Sequence, residues 1–405
     1  MNERDYKNCN VEISIFEYCL VFMFVVLCGF TAQFLIPLKT YILSFFSILY
    51  FFKRDVKFFL PVLIYVSAFM LVGCVHYCYY HYFSVNLFLN YPLVVLSGAY
   101  MVKRLGEKFR YAYFNIMFLL CCISLFFFLL MVVLKVIPSM FDVPGYRSIF
   151  IYNIRNDEIE NIRNCGPFWE PGAFAGYIVI AFSLFFDSLL SLLNRQKIKC
   201  FVMFLALLST RSTQGFLAIF LLFSFYFFYK KFSVFTVIFM SLFFYIFYVT
   251  FTSFPFLGEK IQEQVEQVSG GDWDSDTNLK SAQRFSTTQL DFYNIAKHPV
   301  IGNTDDLYIC NSDFPVILDL ISENGEYGSG TGITGYISTY GIPFFLLWFL
   351  MSYRNIKYQT NIKSAFFFML LLLILGNGEY FSTKILYLSI PFLEYKKITN
   401  YDSKK

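Results

Sequence analysis

Arg163-Asn-Cys-Gly-Pro-Phe-Trp-Glu170-Pro-Gly-Ala-Phe-Ala-Gly-Tyr177 is a polar, proline-broken loop that runs straight into an apolar helix. Pro171 suits the first turn of that helix, where a missing N–H costs nothing. Glu170 then stands at the positive end of the helix dipole, a place that favours an ionised carboxylate. The apolar run that follows, near 172–193, has the length of a membrane span. An arginine and a carboxylate are therefore expected at a membrane surface, held there by the start of a spanning helix.

Similar runs recur along the chain. Of its 405 residues 57% are apolar and 15% charged, against roughly a quarter charged in soluble domains. The composition excludes a soluble globular enzyme. It predicts an all-α, polytopic integral membrane protein with residues 1–405 in a single transmembrane domain of about 12 helices. The expected spans lie near 14–31, 34–52, 58–76, 83–102, 111–134, 172–193, 199–210, 214–229, 232–253, 333–352, 364–380 and 382–395. A mixed-charge tail (Glu3, Arg4, Asp5, Lys7) precedes the first run, which lacks a small-residue cleavage site and reads as a retained anchor.

The net charge of +4 matters less than its distribution. Lys and Arg cluster in alternate loops, at 53–57, 103–110, 195–199, 230–231 and 354–363, and in the tail beyond 395. The intervening short loops at 32–33 and 77–82 carry neither. The positive-inside rule then puts both termini in the cytoplasm and two large segments, 135–171 and 254–332, outside.

In the second of these segments Leu257, Ile261, Val265 and Val268 repeat at helical spacing, which predicts an amphipathic helix. Another helix is expected from about Thr277 to Lys297, stopped by Pro299. On it Arg284, Thr288 and Asp291 share one face. A glycine-rich run, 325–335, leads into the tenth span. The seventh and eighth spans meet in Leu208-Ser-Thr-Arg-Ser-Thr-Gln-Gly215, and polar residues there are costly unless buried in protein or lining a cavity.

Arg163, Arg211 and Arg284 come from three separate outer segments. Guanidinium stays charged and grips phosphate oxygens bidentately, so together they can hold a pyrophosphate without a metal. Each also has a plain alternative as a structural ion pair, or for Arg211 as a side chain snorkelling to the interface. Glu170 reads equally as a general base or as a helix-terminal structural carboxylate.

Other features carry less. Asp272-Trp-Asp-Ser-Asp276 opens like a calcium loop but has Thr277 and Gln283 where that loop needs glycine and glutamate. His76 and His81 are expected in an aromatic interfacial belt, and His298 at the end of its helix. Most cysteines lie inside apolar runs; Cys165 and Cys310 fall in outer loops and are candidates for a disulfide. HExxH, GxSxG and Walker motifs are absent.

In outline the chain resembles the O-antigen polymerases of the Wzy type, which share an architecture with the O-antigen ligases. Three stretches carry the likeness: Arg163 with Gly166-Pro-Phe-Trp-Glu170-Pro-Gly172, Ser212-Thr-Gln-Gly215, and Arg284 followed by Lys297-His-Pro-Val-Ile-Gly302. Thr331-Gly-Ile-Thr-Gly335 and Tyr340-Gly-Ile342 fit the family's return into the membrane. Two features depart from the relatives: Thr304 stands where the family often has a second glycine, and no histidine follows His298, which tells against a ligase.

The resemblance implies a metal-independent, GT-C-like membrane glycosyltransferase in the bacterial inner membrane, with its site facing the periplasm under a cap formed by 135–171 and 254–332. Donor and acceptor would be undecaprenyl-pyrophosphate-linked oligosaccharides, with no cofactor and no nucleic acid. Arg163, Arg211 and Arg284 would bind the pyrophosphate, and Glu170 or, second, Asp291 would be the base. A chain-length regulator and a flippase would be possible protein partners. The alternatives are a flippase or transporter of the same lipid-linked sugar, or a ligase. A flippase should place charges along a path through the membrane middle, whereas here the expected spans are almost uncharged in their middles, apart from Asp187 near the inner end of the sixth.

Overall fold

The computed structural model describes residues 12–30, 35–52, 56–135, 141–143, 146–155, 162–230, 284–313, 332–376 and 384–394, with the single positions 241 and 245. The expected ninth span (232–253), the 257–268 stretch, the Asp272–Asp276 loop, residues 277–283 and the glycine-rich run up to Thr331 lie outside the described residues. So does the C-terminal tail.

The apolar runs become helices: α1 (Ile15–Gly29), α2 (Leu35–Phe52), α3 (Val56–Tyr80), α4 (Tyr91–Leu105), α5 (Lys108–Leu134), α6 (Pro171–Ser183), α7 (Leu189–Arg195), α8 (Lys197–Ser209) and α9 (Thr213–Lys230). Within the second large segment lies α10 (Arg284–Lys297), followed by α11 (Gly332–Tyr340), α12 (Ile342–Gln359), α13 (Ile362–Gly376) and α14 (Ile385–Ser389). α1 opens on a capping box, in which Ser14 Oγ accepts from Glu17 N and the Glu17 carboxylate accepts from Ser14 N.

Among the described residues two helices are long and apolar enough to cross a membrane, Leu60–Tyr80 within α3 and Lys108–Leu134. A third is gained if the bent pair 171–183 and 186–195 forms one span. Ile15–Gly29, Leu38–Phe52, Thr213–Tyr226 and Ile362–Gly376 are apolar but shorter. The chain is thus helical and membrane-like in part, with fewer full-length spans among the described residues than the sequence predicts. Leu60, Leu71, Phe126 and Val133 stay exposed on α3 and α5, a surface that suits hydrocarbon better than water.

The structure departs from the expected spans and outer segments in four places. The segment 141–155 forms a three-stranded antiparallel sheet, β1 (Phe141–Val143), β2 (Tyr146–Ser148) and β3 (Asn153–Arg155), so the fold is not purely helical. Val143 pairs with Tyr146 across Pro144-Gly145, a dipeptide that favours a turn over a helix.

The expected span 172–193 breaks after Ser183 and bends by 61°. There Ser183 Oγ donates to the Ile180 carbonyl at 2.8 Å, a local bond that competes with the helix ladder. Phe185 turns to Tyr111 and Phe114, while Phe186 turns to Phe225 and Phe367.

The expected span 333–352 breaks at Gly341, where φ is +86°. In the expected last span, 382–395, α14 has five residues and passes into a 3₁₀ turn, Ile390–Phe392, around Pro391. At 1.5 Å per residue such a helix covers only about 7.5 Å.

The main core is an apolar cluster in which α2 packs on α4, α5 on α8, and α9 on both α6 and α13, and a smaller cluster gathers around Met131, Tyr152 and Ile154. Two buried aromatic polar atoms find partners within the main core. Trp348 Nε1 donates to the Tyr387 carbonyl at 2.8 Å, and Tyr177 OH donates to the Cys28 carbonyl at 3.0 Å.

The helix array has two chemically different ends. One is tied by ion pairs, Lys108 to Glu17 at 2.9 Å and Lys103 to Glu394, and by Lys199 Nζ donating to Asn115 Oδ1 at 2.8 Å. The other is tied by polar loops and holds the candidate site.

Candidate functional site

At the loop end, residues 162–170 are held from three sides. Asn164 N donates to the Ser209 carbonyl at 3.1 Å, and its side-chain amide donates to Ser209 Oγ at 2.8 Å and Ser124 Oγ at 3.2 Å. Asn164 Oδ1 accepts from Gly166 N at 3.0 Å, closing the turn in which Gly166 takes φ +53°. Asn153 of β3 donates from N to the Gly166 carbonyl and from Nδ2 to the Phe168 carbonyl. Phe168 forms an isolated bridge with Phe30 at the end of α1.

Asn164 therefore bolts the loop to the α8–α9 hairpin, and this sets Arg163 on a backbone directly beside Ser209 and Arg211. Replacing Asn164 by alanine leaves both serines and Gly166 N without that partner. The expected loss is about 1–3 kcal/mol of stability, read as a lower melting temperature of the detergent-solubilised protein.

The hairpin is built for close approach. Ser212 Oγ accepts from Gly215 N at 3.2 Å and so caps α9. Gly215 lies against α6, where a Cβ would come within 2.5 Å of Ala175 Cβ. Gln214 Nε2 donates to the Ile374 and Leu375 carbonyls, satisfying the last turn of α13. Arg211 sits at the exposed tip in the left-handed region, with φ +48°.

Glu170 is the N-cap of α6 by position, yet its side chain makes no capping hydrogen bond to the helix. A Cβ on Gly172 would lie 3.4 Å from Glu170 Oε1 and 3.6 Å from Ser212 Oγ. The carboxylate and the hairpin hydroxyl thus flank the same glycine. The loop that carries Arg163 and Glu170 thus lies against the hairpin that carries Arg211 in one joint.

The other two candidates lie on α10. Arg284 is the first residue of α10, and its side chain lies outside the described residues. Asp291 is buried where α10 packs on α11, and it accepts from Thr334 Oγ1 at 2.6 Å. That contact ties the two helices together.

The stretch Lys297–Gly302 is also structural. Asn303 N donates to the Ser338 carbonyl at 2.7 Å, and Ile342 N to the Pro299 carbonyl at 2.9 Å. Gly302 and Gly341, both at positive φ, let the two backbones touch. α3 grips the same turn: His76 Nε2 bonds the Ile301 carbonyl at 2.8 Å, and Tyr80 OH donates to the Gly302 carbonyl at 2.8 Å. His76 is fully buried in this contact, not displayed in an interfacial belt. His298 follows α10, with its ring against Tyr79 and Tyr80. Asp305 accepts from Ser84 Oγ and Asn86 Nδ2 at 2.8 and 2.7 Å, continuing the seam.

The disulfide expected between Cys165 and Cys310 is not formed; both carry thiols. Cys165 is buried with its sulfur near the Arg163 carbonyl. Burial pushes the Cys310 thiol up to about 12, with Asp306 and Asp291 adding to the effect, and this suppresses the thiolate that disulfide exchange needs.

No protein-family model matches this chain, and no curated protein matches it significantly. Function is therefore argued from the joint itself. Among the described residues no group of three His, Cys, Asp or Glu side chains could hold a metal ion.

Sequence reasoning passed over Asn164, Gln214 and the pair Trp169–Lys384. Asn164 and Gln214 stand inside quoted motifs, but only the fold shows which carbonyls they meet. Lys384 was counted as part of a span, though it is a cation at the end of the array opposite the basic loops.

Proposed function

We propose that this chain polymerises lipid-linked oligosaccharide repeat units at the outer face of a bacterial inner membrane, as a polytopic glycosyltransferase. The observation that supports the reading is the packing of the 162–170 loop, which carries Arg163 and Glu170, on the hairpin that carries Arg211, at the loop end of an apolar helix array. Two arginines beside a carboxylate suit a reaction in which an anionic group departs while a hydroxyl loses its proton.

The donor would be the growing glycan on undecaprenyl pyrophosphate, and the acceptor the non-reducing end of a new lipid-linked unit. The acceptor hydroxyl oxygen attacks the anomeric carbon of the donor. The bond from that carbon to the pyrophosphate oxygen breaks, and the pyrophosphate leaves with the electron pair. The hydroxyl proton passes to the Glu170 carboxylate. Arg163 and Arg211, joined by Arg284 from the start of α10, offset the charge that grows on the leaving oxygen. Asp291, bonded to Thr334, holds α10 against α11 and comes second as a base.

The orientation follows from charge. Lys103 and Lys108 lie at the ion-paired end of the array, and the positive-inside rule turns that end to the cytoplasm. The joint then faces the periplasm, where chain-length regulator and flippase proteins would meet it. The exposed apolar faces of α3 and α5 give polyprenyl tails a lateral approach.

The test is reconstitution of the purified full chain in vesicles with undecaprenyl-pyrophosphate-linked repeat units. The expected product is a ladder of glycans growing by whole units, formed equally with and without a chelator. Transfer of the lipid across the bilayer with no ladder would instead mark a flippase.

A further inference from the structure

Lys384 is a cation where neither topology nor helix electrostatics favours one. It lies at the loop end, away from the basic clusters, and it is the N-cap of α14, the end at which a helix dipole repels positive charge. Its placement needs another cause, and Trp169 supplies it. Lys384 Nζ stands 3.2 Å from the centroid of the Trp169 ring. Lys384 is only 8% exposed, so this cation–π contact is largely desolvated.

Gly29 makes the stack possible. It takes φ +140°, and a Cβ there would lie 2.4 Å from Trp169 Cζ3 and 2.8 Å from Lys384 Nζ. The end of α1, the α6 loop and the start of α14 thus meet around one indole, and the next residue after that indole is Glu170.

We propose that Lys384 is a positioning residue that fixes the Trp169 ring and, through it, the Glu170 carboxylate at the mouth of the joint. This deepens the polymerase reading and rests on it for its activity arm. Lysine was chosen over an apolar residue because a charge over the indole face orients the ring as well as filling space.

The experiment uses the full chain in detergent and in vesicles, with Lys384→Met, Lys384→Arg, Trp169→Phe and the Lys384→Met/Trp169→Phe double variant. The first readout is tryptophan emission, which needs no activity. Lys384→Met is expected to shift the emission in the wild-type background but not in Trp169→Phe. No shift, or an equal shift in both backgrounds, overturns the contact.

The second readout is polymerisation kinetics with undecaprenyl-pyrophosphate-linked repeat units. Lys384→Met is expected to lower kcat by roughly tenfold to a hundredfold, the scale of a base displaced by about an ångström. Donor KM should stay within about twofold of wild type, because in this scheme Lys384 acts on positioning more than on binding. Lys384→Arg should recover most of the rate. A change confined to KM, or no recovery by arginine, overturns positioning. Should Lys384→Met fail to accumulate, Trp169→Phe must itself lower kcat, and a normal rate there overturns the proposal. If the wild-type chain makes no polymer, the polymerase reading falls, while the emission arm still decides the contact.

Discussion

Alanine at Gly341 is expected to leave little or no folded protein. The backbone there has φ +86°, and a Cβ would sit 2.1 Å from the Val300 carbonyl oxygen and 2.7 Å from its carbon. Both obstacles are main chain, so no rotamer change relieves them. Gly302 faces the same problem from the other side, at φ +69°, with the Thr339 oxygen 2.4 Å from a Cβ.

The hydrogen bonds Asn303 N to Ser338 O and Ile342 N to Pro299 O hold these backbones together, so separation by an ångström forfeits them. Left-handed strain, overpacking and lost hydrogen bonds act together, and the expected cost is about 4 kcal/mol or more. The readout is the yield of monodisperse protein in detergent and its melting temperature. Gly172→Ala is the contrast. Its nearest neighbours lie at 3.4 and 3.6 Å, and alanine is the better helix former, so the fold should accept it. Equal yields for all three variants would refute the clasp.

That clasp also shows where reading from sequence stops. Apolar run length located most helices, because burial and lipid exposure both demand apolar residues at that spacing. It could not locate breaks made by contacts distant in the chain. Gly341 reads as one more span residue until Val300, about forty positions earlier, is seen against it.

The break after Ser183 likewise depends on which aromatic neighbours receive Phe185 and Phe186. Arg163, Glu170 and Arg211 were legible as charged residues that an apolar chain retains outside its expected spans, while the packing of the 162–170 loop on the hairpin through Asn164 and Gly172 belongs to the fold. Asp291 was legible only as part of a helix face. Its burial against Thr334 belongs to the partner helix, which the α10 sequence does not contain. Lys384 was hidden because a lone lysine at a span end has the same hydropathy whether it meets water, lipid headgroups or an indole.

Arg163→Ala and Arg284→Ala are each expected to abolish surface polymer while the protein still accumulates in the membrane. A fixed charge aimed at a leaving group is worth about 10²- to 10³-fold in rate, enough to erase a ladder that grows by repeated transfers. Arg163→Lys should recover little, since an ammonium cannot reproduce the two parallel hydrogen bonds of a guanidinium to phosphate. Arg211→Lys supplies the comparison at the exposed tip, where φ +48° is equally costly for either residue, so a loss there reports on chemistry more than on fold. Glu170→Gln should also silence transfer, because the amide keeps the shape beside Ser212 and Gly172 but no longer takes the proton. Polymer measured as a glycan ladder, against protein measured in the membrane fraction, separates these roles from instability. A normal ladder in both alanine variants would remove the pyrophosphate grip. If loss in Glu170→Gln accompanied it, a base would remain without an anion site, and the donor would have to carry a leaving group that needs no cationic help.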